Sequence, residues 1–242
     1  MEAIILDLGA INGQVSVQIV RKNIKNIHLK VFRSLEVVLS VPMNVTTEWI
    51  DSFLEGHVEW IDGQITKYKK ASGYNNLSNI RSGSSTQLLG KDVRVYKEVS
   101  LENRVEFEGK KICIFLKDTA DEELVQKMFD EWWRATANQV FQVEMKKMYQ
   151  KIFKKYNLTQ PRIVVRKMKT LWGSCTAAKC KITLNEYLLK ADIRCIQYVI
   201  LHELTHLIYS NHSKDFYVFL TIHMPDWKER KKQLDNEVVQ GI

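Results

Sequence analysis

Residues 202–212 read HELTHLIYSNH, and this segment constrains the chain more than any other. Positions four apart on an α-helix lie one above the other, so His202 and His206 can direct two imidazoles at one ion. Glu203, one residue further round, can take a proton from water held at that ion instead of binding the ion itself. A third ligand at the right height requires the helix to end and the chain to turn. Ser210 and Asn211, just before His212, favour such a turn. Three ligands leave the fourth tetrahedral position open, as in a catalytic zinc site. The helix must also dock on a core: Asp192 stands where an N-cap belongs, and Ile193, Ile196, Ile200 and Leu207 follow at helical spacing. The residues alone leave two alternatives open. Glu229 or Glu237 could replace His212 as third ligand, and the two helical histidines could be hydrogen-bonded interior residues.

With 242 residues and 45% hydrophobic content, the chain can build one large or two small domains. Met1 to Asp7 carries no leader pattern and no apolar run approaches membrane-spanning length, so a cytoplasmic protein without membrane contact is expected. Four cysteines, Cys113, Cys175, Cys180 and Cys195, form no closely spaced pairs. They read as buried free thiols in preference to a disulfide framework, with metal binding by Cys175 and Cys180 the lesser alternative. The formal charge of +8 allows a nucleotide, nucleic-acid or acidic protein partner. The basic runs at Lys146-Lys147, Lys151, Lys154-Lys155 and Lys228 to Lys232 nevertheless fall on predicted helices, where a solvated face is the ordinary explanation.

Periodicity predicts an α+β protein. Val15-Val17-Ile19, Ile27-Leu29-Val31 and Leu35-Val37-Leu39-Val41 alternate as strands of an antiparallel meander ending at Pro42. Thr46 then opens a helical stretch to about Lys70 that Gly63 would weaken or divide. Residues 71–86 read as a loop, followed by strands around Val93-Val95 and Ile112-Ile114-Leu116. From Asp121 the spacing is helical, with Leu124, Met128, Trp132, Ala135, Val140 and Val143 as the stripe. A domain change is therefore expected near residue 120, giving a β-rich region 1–120 and a second domain 121–242. Strands at Ile163-Val165 and Ile182-Leu184 precede the HELTH helix. Ser213 caps a further helix that Pro225-Asp226 interrupts before a last charged one. No internal repeat is evident.

Three stretches, RKMKTLWGSCTAAKCKITLNEYL at 166–188, YVILHELTHLIYSNHSKDFYVFL at 198–220 and PDWKERKKQL at 225–234, resemble the YgjP-like metallopeptidases, cytoplasmic proteins allied to the SprT-like and WLM zinc proteases. The strands ending in Val41-Pro42 and the HVEWI at 57–61 look like that family too. The resemblance implies a zincin-like metallopeptidase domain with zinc on His202, His206 and His212 and with Glu203 as general base. Metzincins share the histidine spacing but turn on a glycine where this chain has Tyr209. The resemblance further implies a cleft with Trp172, Gly173 and Ser174 at its mouth. The strand Ile182 to Asn185 is expected to line that cleft and pair with an extended peptide, and Asn185 and Tyr209 are candidate oxyanion stabilisers. Three functions fit such a site: a zinc peptidase acting on peptides or unfolded protein, a nucleotide phosphohydrolase (pyrophosphatase), or a nucleic-acid-associated SprT-like protease. The lack of a Walker-type phosphate loop weighs against the second. Oligomeric state is not legible in the sequence.

Overall fold

The computed structural model describes residues 2–9, 12–32, 35–70, 77, 80–168 and 171–237. The architecture is α+β, with six α-helices and three sheets among the described residues. The chain divides into two compact units, Met1–Tyr74 and Asn75–Ile242. No helix among the described residues is long and apolar enough to cross a membrane.

In the first unit the strands β1 (Glu2–Asp7), β2 (Gln14–Lys22), β3 (His28–Val31) and β4 (Val37–Pro42) lie in the order β1-β2-β4-β3. This corrects the expected meander. β4 inserts parallel to β2, with Val17 opposite Val37 and Ile19 opposite Leu39, while β3 takes the far edge antiparallel to β4. The arrangement follows burial: Val17, Ile19, Val37, Leu39 and Val41 are the most enclosed of the strand residues, so β2 and β4 sit side by side at the centre. Helices α1 (Thr47–Glu55) and α2 (Val58–Lys70) cover the unit's core with Ile50, Leu54, Ile61 and Ile65. The helical stretch divides at Gly56-His57, not at Gly63. The Gly56 and His57 amides close a tight turn on Ser52 and Leu54, which lets Ile61 and Ile65 resume the buried face.

The second unit opens with β5 (Ser85–Leu88), β6 (Lys91–Val99), β7 (Arg104–Glu108) and β8 (Lys111–Leu116) in the order β5-β6-β8-β7. β6 and β8 are parallel and the outer pairs antiparallel, so this sheet has the same strand order and pairing senses as the first. Its inner residues Val93, Val95, Ile112, Ile114 and Leu116 share one core with helix α3 (Glu122–Met148). The change of pattern near residue 120 is therefore a change from strand to helix inside one unit. α3 buries Val125, Phe129, Trp133, Ala137, Phe141 and Met145, a row rotated by one residue from the expected stripe. Leu124, Met128, Trp132 and Val140 are only partly covered, and Val143 is exposed.

The third sheet holds β9 (Arg162–Arg166), β10 (Gly173–Thr176) and β11 (Lys181–Asn185) in the order β10-β11-β9. β11 pairs on both sides, antiparallel with β10 and parallel with β9. The strand expected to accept a peptide along its edge is thus the central one. A strand bonded on both sides has no free backbone groups to offer; the edges belong to β9 and β10, and β10 is the one against Glu203.

Candidate metal centre

Helix α4 (Ile193–Thr205) carries the site, and its start is fixed from two directions. The Asp192 carboxylate accepts the Arg194 amide at 2.8 Å as an N-cap. Gly90, at φ +77° in the β5–β6 turn, lies so close to Asp192 that a Cβ there would stand 3.0 Å from its Cα. The buried face, including Ile196, Ile200, Leu201 and Leu204, anchors the helix in the core. α4 ends on His206, and the amides of Leu207, Ile208 and Tyr209 turn back on Leu204 and Thr205. Ser213 then caps α5 (Lys214–His223), accepting the Phe216 amide. That turn brings His212 back to the helical pair. One ring nitrogen from each of His202, His206 and His212 lies within 4.8 Å of the others, and the Nε2 atoms of His202 and His212 are 3.0 Å apart.

The donor set fits a metal ion. Burial, reinforced by the neighbouring histidines, pushes His202 down to about 3. Burial also lowers His206, partly offset by the Tyr209 carbonyl. Both are neutral imidazoles at neutral pH, the form in which histidine donates a lone pair to a cation. His206 Nδ1 meets the Tyr209 carbonyl at 3.0 Å, leaving Nε2 to face the cluster. His202 Nδ1 is buried without a hydrogen-bond partner among the described residues, and packing holds its ring instead: Tyr198 lies edge-on at 5.9 Å. The fully buried Phe216 forms the floor, with its ring centre 5.0 Å from His202 and 4.8 Å from both His206 and His212. Sequence reasoning gave Phe216 no role. Its place in the pattern, four residues after His212, is the signal that could have found it.

Glu203 is 5% exposed and faces β10. Burial pushes its carboxyl up to about 8, and the Cys175 backbone N–H, which bonds to it, pulls the other way. A bound cation nearby would favour the ionised form. Gly173 makes this approach possible: a Cβ on it would stand 2.8 Å from Glu203 Oε1 and Cγ. Burial and the Glu203 charge in turn push the Cys175 thiol up to about 11, which leaves it inert. No disulfide joins the four cysteines, all of which are among the described residues. Cys113 and Cys195 are buried as expected, whereas Cys175 and Cys180 are only partly so.

A cavity of about 270 Å³ opens beside His202 and Glu203. Leu171, Trp172 and Gly173 line one side, and Tyr198 and Val199 of α4 another. Lys231, Leu234 and Asp235 of α6 (Trp227–Glu237) complete the lining. Of the residues expected at a cleft mouth, Trp172 and Gly173 line this cavity, whereas Ser174 is absent from the lining and lies opposite Thr183 of β11 in the sheet. Asn185 is not free to stabilise an oxyanion. Its side chain is fully buried, donating to the Met168 and Leu171 carbonyls at 2.7 and 3.0 Å and accepting from the Met168 and Tyr187 amides. It pins the backbone that leads into the cleft wall. The Tyr209 ring packs edge-on against Phe219, and its carbonyl meets His206 Nδ1. Glu229 is exposed on α6 and outside the histidine cluster. The Glu237 side chain lies outside the described residues.

The model of the YgjP-like metallopeptidase domain matches residues 25–237. No curated protein matches the sequence. Among solved structures, the crystal structure of the metallopeptidase zymogen of Methanocaldococcus jannaschii jannalysin is similar at 24% identity and a TM-score of 0.32, over 37% of this chain and 92% of that one. The family match takes in β3 and β4, both later sheets and the whole histidine cluster. The chain belongs to the YgjP-like metallopeptidase family.

Proposed function

We propose that the protein is a zinc-dependent metallopeptidase in which His202, His206 and His212 hold the ion and Glu203 is the general base. The observation that carries this reading is the convergence of three imidazoles beside a buried carboxylate that is seated on a glycine of the edge strand β10. Zinc in such a site supplies Lewis acidity, acidifying water and polarising the carbonyl under attack. Glu203 takes the proton from the attacking water and returns it to the amine nitrogen as the peptide bond breaks. The Cys175 amide and the glycine surface at Gly173 hold the carboxylate in place for both transfers. β10, with one edge unpaired in its sheet, lies alongside the cleft where an extended substrate would run.

Peptide is favoured over nucleoside triphosphate by the lining of the cleft. It is mostly apolar, and its one lysine, Lys231, is paired with Asp235. A triphosphate would find no cluster of cations there.

Elemental analysis of purified protein, followed by incubation of wild type and Glu203→Gln with a denatured protein and with nucleoside triphosphates, tests the reading. We expect one zinc per chain in both proteins, with proteolysis lost in Glu203→Gln by about 10³-fold or more. His212→Ala should lose most of the zinc. A zinc-loaded wild type that cleaves triphosphate and no polypeptide would overturn the peptidase reading.

A further inference from the structure

A second concavity, about 530 Å³, lies between α5 and α6. Tyr217, Val218 and Ile222 of α5 and Trp227 of α6 form its apolar wall, with Lys214 and Lys228 also lining it. No carboxylate is among its described lining residues. The nearby Asp226 is held by Arg194 and Arg230. Ile222 is 67% exposed and Val218 46%. Apolar side chains gathered in a groove and left in water mark a contact surface more often than a scattered exposed residue does.

The groove is joined to the metal centre by stacked rings. Tyr217 stacks on Trp227 at 5.4 Å and on His212 at 6.2 Å. Trp227 also stacks on Tyr198, which lines the cleft beside Glu203. A chain occupying the groove would therefore lie next to the third histidine.

We propose that this groove binds the part of the substrate polypeptide that flanks the cleaved bond, and that it selects a bulky apolar side chain with carboxylates beside it. The inference rests on the peptidase reading and adds the class of sequence recognised. The apolar wall takes the side chain. Lys214 and Lys228, with no acidic residue to neutralise them inside the groove, pair with the flanking carboxylates. These surface pairs favour the acidic sequence over its basic counterpart and weaken as salt rises.

The test is equilibrium binding without turnover. The full-length Glu203→Gln protein, loaded with zinc, is titrated against a dye-labelled peptide bearing a Leu-Phe pair flanked by aspartates, and against the same peptide with lysines in their place. Fluorescence anisotropy reads the binding, and sedimentation velocity reads the assembly state. We expect the aspartate peptide to bind more tightly. Lys214→Glu combined with Lys228→Glu should weaken it about tenfold, as should Ile222→Asp, with zinc content unchanged. Equal binding of the two peptides, or no effect of the charge reversal, overturns the proposal. So does an Ile222-dependent dimer that does not bind the peptide, which would make the groove a contact between copies of the chain. The two readings fail separately. Peptide binding in the groove without any cleavage by wild type removes the peptidase and leaves the groove. Cleavage whose KM is unmoved by charge reversal removes the groove and leaves the peptidase.

Discussion

Gly173 shows how a single missing atom can seat a buried carboxylate. A Cβ on it would collide at 2.8 Å with Glu203, the proposed general base. Gly173→Ala should therefore lower kcat by about a hundredfold while zinc content stays at the wild-type level, because the base is displaced and the ligands are not. Steady-state kinetics with parallel metal analysis checks this. A second buried group governs pH. Lys190 is fully buried, and desolvation lowers its ammonium to about 8 from an ordinary 10.5. Between those values the unfolded chain binds the extra proton, so this lysine makes stability rise with pH across the window, by roughly 3 kcal/mol. Cys175, raised to about 11, acts in the opposite sense over an overlapping range, losing stability as pH rises above its ordinary value. The difference between wild type and Lys190→Met isolates the lysine. In urea denaturation wild type should gain stability relative to the variant as pH rises from about 8 to 10.5. At this scale the sequence showed residue types and spacing but not direction. His202, Glu203 and His206 were legible because a helix fixes what four residues apart means. The turn residues and the family resemblance pointed to His212. The role of Asn185 was not legible, because its chemistry allows an oxyanion contact while its surroundings direct its amide into the backbone.

At the scale of elements, α4 is set by its cap. Removing the Asp192 carboxylate with Asp192→Ala should cost about 1 kcal/mol, lowering Tm by about 2–4 °C by calorimetry, and zinc should restore part of the loss by binding the folded form. The caps at Asp192 and Ser213, the break at Pro225-Asp226 and seven of the eleven described strands could be read from sequence, since each is a local preference; the short or exposed strands β1, β5, β7 and β10 were not. Three features could not. α3 is apolar over a wide arc, and packing against the sheets chose Val125-Phe129-Trp133 over the expected row Leu124-Met128-Trp132. The strand order β1-β2-β4-β3 was read as a meander because alternation marks a strand's two faces and not its neighbours. The same order returns as β5-β6-β8-β7 without a sequence repeat, since shared pairing requires only inward apolar residues at matching registers.

Across the whole molecule, each of the two compact units has a hydrophobic core of its own. Every residue of the candidate site and of the cleft belongs to the second. A chain beginning at Asn75 should therefore fold cooperatively and bind one zinc. Circular dichroism and metal analysis of residues 75–242 test this, and a molten or metal-free product would show that the first unit is needed. A chain begun at residue 121 should fail, because it lacks Val93, Val95, Ile112, Ile114 and Leu116, which complete the core beneath α3.

The sequence by itself determined the chemistry of the centre: two imidazoles and a carboxylate on one docked helix, and a turn able to return a third imidazole. That information is local, carried by helical periodicity, caps and turn preferences. The tertiary structure alone decided what surrounds it: the floor of Phe216, the edge strand that seats Glu203, the wall supplied by α6, and the division of the chain at residue 74. Those features depend on contacts between residues far apart in the chain, and no local pattern encodes which buried faces will meet.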